Sequence, residues 1–131
     1  LMSELLKKKY DVMIETSGSI SLDKIPKKVI KIVDFKCPTS NMQHKNDWQI
    51  LKDINQKDEI KFVIGNQEDY NWSKDMIKEY NLNKLCPILF SPVYDKIKIE
   101  DLSKWILEDG LNVRLQMQLH KYIWGADKKG V

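Results

Sequence analysis

Glu59-Ile60-Lys61-Phe62-Val63-Ile64-Gly65, the segment Asp69 to Tyr80, and Leu85-Cys86-Pro87-Ile88-Leu89-Phe90 together decide the fold. The first is a short apolar-rich run closed by a glycine, which predicts a strand. The second carries Trp72, Met76, Ile77 and Tyr80 at helical spacing, so it predicts an amphipathic helix. The third is a second short apolar run, ending at Ser91-Pro92. A strand, a helix and another strand in this order favour a right-handed crossover between parallel strands.

The same alternation extends in both directions. Upstream, Val29 to Lys36 is rich in β-branched residues and ends at Cys37-Pro38-Thr39-Ser40-Asn41, which predicts a strand and a turn. Asp47 to Asn55 follows as a helix with Trp48, Leu51 and Ile54 on one side. Asp11 to Glu15 is an earlier strand, stopped by Thr16-Ser17-Gly18-Ser19. Before it, Met2, Leu5 and Leu6 fall on one face of a helix that the sequence enters part-way, as a fragment would. Downstream, Ile99 to Asp109 shows the clearest helical stripe (Ile99, Leu102, Trp105, Ile106), with Gly110 placed as a C-cap. From Asn112 to His120 the pattern alternates strictly. That predicts a strand with Val113, Leu115, Met117 and Leu119 on one face and Asn112, Arg114, Gln116, Gln118 and His120 on the other. The expected architecture is one α/β domain over residues 1–131, mainly parallel strands alternating with helices, as in the C-terminal part of a partial (β/α) barrel.

Composition narrows the function. Lys and Arg outnumber Asp and Glu by 22 to 19, a net charge of only +3, and the basic residues are scattered. No nucleic-acid partner is expected on that balance. No apolar run approaches the roughly 20 residues of a membrane span, and no signal peptide is visible, so a cytoplasmic protein is expected. Cys37 and Cys86 form no Cys-x-x-Cys or Cys/His cluster, which argues against a metal centre built from this chain. In parallel α/β folds ligands gather at the C-terminal ends of strands. Here those ends collect Glu15 to Ser19, Asp34 to Ser40, Gly65-Asn66, Ser91 to Tyr94 and Gln118 to His120. They are rich in hydroxyl and charged groups, a composition that ordinary turns share.

Taken in order, several of these segments resemble one family. Glu15-Thr16-Ser17-Gly18-Ser19 is similar to the Glu-Thr-Asn-Gly-Thr turn of many radical S-adenosylmethionine enzymes. Asp34-Phe35-Lys36-Cys37-Pro38-Thr39-Ser40-Asn41-Met42, Lys61 to Ile64, Phe90-Ser91-Pro92-Val93, and the closing Arg114 to Gly125 with its Gln-x-His-Lys ending resemble successive segments of 7-carboxy-7-deazaguanine synthases. The resemblance implies a lyase of the queuosine pathway. A 4Fe-4S cluster would cleave S-adenosylmethionine to a deoxyadenosyl radical, and 6-carboxytetrahydropterin would be converted to 7-carboxy-7-deazaguanine with loss of ammonia. It further implies Mg2+, a homodimer, and an electron donor such as flavodoxin or ferredoxin. Carried over by residue, Glu15, Thr16, Asp34, Phe35, Lys36, Ser91, Pro92, Val93 and Tyr94 would bind the cofactor. Gln118 and His120 would face the pterin, and some members also use a C-terminal carboxylate, here that of Val131. The family's cysteine motif, its Gly-Gly-Glu-Pro turn and its magnesium ligand are not in this sequence, so these residues alone are expected to be inactive. A stand-alone nucleoside- or pterin-binding module without catalysis is the alternative, and an α/β domain with accidental matches a third.

Overall fold

The computed structural model describes residues 1–130; the Val131 carboxylate lies outside them. In chain order the elements are α1 (Met2–Lys7), β1 (Met13–Ser17), β2 (Ile30–Phe35), β3 (Glu59–Ile64), α2 (Gln67–Glu79), β4 (Ile88–Pro92), α3 (Ile99–Glu108), β5 (Arg114–Leu115) and α4 (Leu119–Trp124). The segment expected to be helical around Trp48 is a 3₁₀ helix, Trp48–Asp53, capped by Asp47, whose carboxylate accepts from the Gln49 N–H. All five strands are parallel and lie in the order β1-β2-β3-β4-β5. The fold is therefore α/β, as expected, with the sheet left open rather than closed into a barrel.

Each crossover advances by one neighbouring strand, so right-handed connections place the covering elements on the same side. The core shows this. Val33, Phe35, Ile60, Phe62, Ile64, Ile88 and Phe90 from the strands cluster with Tyr70 and Ile77 of α2, Leu102 of α3 and Ile50 of the 3₁₀ helix. Phe35, Phe62 and Phe90 stand in register across three strands. Their ring centroids are 6.2 and 6.0 Å apart. Each is fully buried, which stabilises the fold by roughly 1.5–3 kcal/mol per ring. Gly18 is needed beside this row, because a Cβ there would lie 2.6 Å from Phe35 Cδ1.

The closing segment differs from expectation. The alternation read as a strand from Asn112 to His120 yields only a two-residue ladder, Arg114–Leu115, and then α4. The Gln116 N–H still donates to Phe90 O at 2.8 Å. The next ladder bond would need a donor at position 92, which is proline and has none. Pairing stops there, and the chain turns through Gln118 into the helix.

Candidate functional site

Residues on a strand alternate between the two faces. Since the helices cover the face of Phe35, Phe62 and Phe90, the other face carries what remains. One row crosses all five strands there: Ser17, Asp34, Lys61, Leu89 and Arg114. Glu15 and Glu59 flank Ile32 in the row below. Ile32 and Leu89, though buried, stand outside the helix-side core cluster. One face is therefore an aromatic core and the opposite face is polar and ionic.

The acids on this polar face are matched by bases. Lys36 Nζ contacts Asp34 Oδ2 at 2.5 Å, Lys61 Nζ contacts Glu15 Oε1 at 2.7 Å, and Arg114 pairs with Glu59. Three polar atoms on the same face are buried without a hydrogen-bond partner: Asp34 Oδ1, Ser91 Oγ and Gln116 Oε1. A buried group left unpaired costs about 1–3 kcal/mol, so such atoms point to water or a ligand.

Toward the C-terminal ends of β2, β3 and β4, Asp34, Lys36, Thr39, Gly65, Asn66 and Val93 are among the residues lining a cleft of about 510 Å³. Asp69, the third residue of α2, holds two of the lining residues, Thr39 and Gly65. Its carboxylate accepts from the Thr39 N–H at 2.9 Å, from the Gly65 N–H at 2.8 Å and from the Thr39 hydroxyl. Asn66 caps the same helix by accepting from the Asp69 N–H at 2.9 Å. One buried carboxylate thus ties the loop after β2 to the turn after β3.

The residues expected at the site do not all meet. Asp34, Lys36 and Val93 border the cleft, and Glu15 lies on the same polar face as Asp34. Phe35 also borders the cleft, but its side chain is fully buried, stacking on Trp48 at 4.4 Å. It can offer a ligand only its main chain. Thr16 is in register with Val33, so its side chain points to the helix-covered face, away from Glu15. Pro92 is in register with Ile64 on that same face, while Ser91 points to the polar one. Tyr94 meets Tyr122 of α4 edge-on at 5.3 Å. Gln118 and His120 do not continue the ridge of Arg114 and Gln116, because they begin α4, where His120 is exposed. Lys61 and Asp69 were not anticipated, whereas the alternation had already placed Gln116 on the polar ridge with Arg114. For Lys61 the signal was present: a lysine at an inner position of an otherwise apolar strand.

Burial pushes the Cys37 thiol up to about 12, against the Ser73 hydrogen bond that opposes the shift, and burial likewise pushes Cys86 up to about 12. Neither is disposed to act as a thiolate ligand. Among the described residues no group of three or more His, Cys, Asp or Glu side chains comes together to hold a metal ion. No helix there is long and apolar enough to cross a membrane.

Fold and site together define a singly wound parallel α/β sheet that keeps one polar face and a cleft at its strand ends. By sequence the chain is similar to 7-carboxy-7-deazaguanine synthases. It is 38% identical to the synthase of Koribacter versatilis and 34% identical to that of Chlorobaculum tepidum, over 99% and 100% of this chain. The synthase of Clostridium acetobutylicum is 38% identical over 92% of it. The chain spans 63%, 61% and 56% of the length of these three relatives. No protein-family profile matches the sequence.

Proposed function

We propose that the chain forms the part of a 7-carboxy-7-deazaguanine synthase that binds S-adenosylmethionine and the pterin substrate. The observation that carries this reading is homology to such synthases over essentially the whole chain. Bound S-adenosylmethionine would supply the hydrogen abstraction that starts conversion of 6-carboxytetrahydropterin to 7-carboxy-7-deazaguanine. The residues present suit such a ligand. Asp34 Oδ1 is buried and unpartnered, an acceptor ready for a hydroxyl or ammonium N–H. The cleft beside it falls in the size range of small-molecule sites. Lys36 pairs with the second oxygen of Asp34 at the cleft wall. Ser91 and Gln116 bring two further unpartnered acceptors to the face where the pterin would lie. His120 and Gln118 reach that substrate only if α4 folds over the face.

The same residues do not fit an iron–sulfur cluster, which needs several thiolates close together, whereas Cys37 and Cys86 are buried in the core. Among the described residues no three His, Cys, Asp or Glu side chains gather to hold Mg2+ either. Ligands for both would come from residues outside this sequence, and no step is derived through either. A homodimer, a flavodoxin- or ferredoxin-like electron donor and a cytoplasmic location complete the reading.

The test is S-adenosylmethionine cleavage by the intact protein, reconstituted anaerobically. Asp34→Ala is expected to lower both cleavage and cofactor affinity. Cofactor affinity unchanged in Asp34→Ala would remove the cleft from the reading. His120→Ala is expected to lower pterin turnover more than uncoupled cofactor cleavage; equal loss of both would assign His120 a structural part.

A further inference from the structure

We propose that Lys61 is a positioning residue, whose buried ammonium holds the Glu15 carboxylate over the open sheet face for S-adenosylmethionine. The inference rests on the function proposed above. Lys61 projects from β3, yet its partner stands on β1. Neighbouring strands lie about 4.8 Å apart, so the Lys61 and Glu15 side chains together span roughly 10 Å and meet over β2. Its in-register neighbour on β2 is Asp34, but Asp34 is already engaged by Lys36.

The pair has one fixed end and one open end. The Lys61 side chain is 7% exposed, whereas that of Glu15 is 53% exposed. In the other two pairs of this face the base is the more exposed partner: Lys36 at 38% against Asp34 at 15%, and Arg114 at 61% against Glu59 at 19%. A surface ion pair between two mobile side chains contributes little order. Here the cation is held by packing, so the carboxylate is the partner that becomes oriented. Glu15 Oε1 takes the Lys61 bond, and no bond to Oε2 is found among the described residues. That oxygen remains for the hydroxyl or ammonium hydrogens of a ligand.

A purely structural lysine behaves differently from a positioning one. Breaking a buried ion pair is costly because it leaves the other charge buried and unpaired, but the Glu15 left by a Lys61 substitution is half in solvent. Lys61→Met in the intact protein is therefore expected to melt near the wild-type temperature while binding S-adenosylmethionine about tenfold more weakly by equilibrium dialysis. Glu15→Gln is expected to lose a similar factor. The double variant should bind within about threefold of the weaker single variant, because both changes break one interaction. Lys61→Arg should restore affinity to within about threefold of wild type. Wild-type affinity in Lys61→Met, or losses that multiply in the double variant, would overturn the positioning role. Should Lys61→Met not fold, Lys61→Gln replaces it, with the same loss expected and wild-type affinity again decisive against the role. An intact wild-type protein that does not bind S-adenosylmethionine would instead refute the proposed function itself.

Discussion

Gly18 is where a single hydrogen atom decides the packing. Its amide donates to Asp34 O at 2.8 Å, and its Cα rests on the Phe35 ring. Gly18→Ala puts a methyl group into that ring and is expected to cost about 1–3 kcal/mol, read as a lower urea midpoint with unchanged slope. Cys37 and Cys86 show a second effect of burial. With thiols pushed up to about 12, both stay protonated near neutrality, so iodoacetamide at pH 8 should label them only in denaturant. Rapid labelling of the folded chain would contradict their placement. At this scale the sequence was partly legible. Glu15, Thr16, Asp34, Phe35 and Lys36 were assigned together through the family resemblance. Neighbours on a strand face opposite ways, so Glu15, Asp34 and Lys36 share the polar face while Thr16 and Phe35 point to the other.

Among the elements, α2 is the organising piece. Its first turn carries Asp69, which holds Thr39 and Gly65, and the next residue, Tyr70, packs on Trp105 of α3. Asp69→Ala strands two backbone N–H groups and the Thr39 hydroxyl, and an expected loss of about 3 kcal/mol follows from the usual 1–3 kcal/mol per unsatisfied group with partial rescue by solvent. The Tyr70 hydroxyl lies 2.7 Å from Asp109 Oδ2 and 2.8 Å from Trp105 O, two acceptors for its one hydrogen, while Lys74 Nζ reaches the same Asp109 oxygen at 2.7 Å. Lys74 first and Tyr70 second hold the Asp109 carboxyl below the usual carboxylate range. A depressed carboxyl stabilises the fold above its unfolded pKa and loses that contribution as pH falls through the folded value. Acid unfolding of Asp109→Asn should therefore lack a component that the wild type shows below about pH 4. Identical acid profiles would deny the clasp. Elements with strong patterns, β2, β3, α2 and α3, were legible to within a few residues. The last strand was not, because Gln-Met-Gln-Leu-His alternates like a strand whereas the length of β5 is limited by the missing donor at Pro92 on its neighbour.

Over the whole molecule, five parallel strands wound in one direction send their helices to one side and leave the other side polar. That division follows from strand order and connection handedness. The parallel α/β class was legible from the strand–helix alternation, whereas the pairing of Lys61 with Glu15 across an intervening strand depends on three-dimensional reach. The central claim is that this face and its cleft serve a 7-carboxy-7-deazaguanine synthase. The most direct measurement is mass spectrometry of the product formed by the intact, anaerobically reconstituted protein given S-adenosylmethionine and 6-carboxytetrahydropterin. The account predicts 7-carboxy-7-deazaguanine from the wild type and at least tenfold less from Asp34→Ala. A reconstituted, cofactor-binding wild type that forms no such product, or an Asp34→Ala variant that forms it at the full rate, would contradict it.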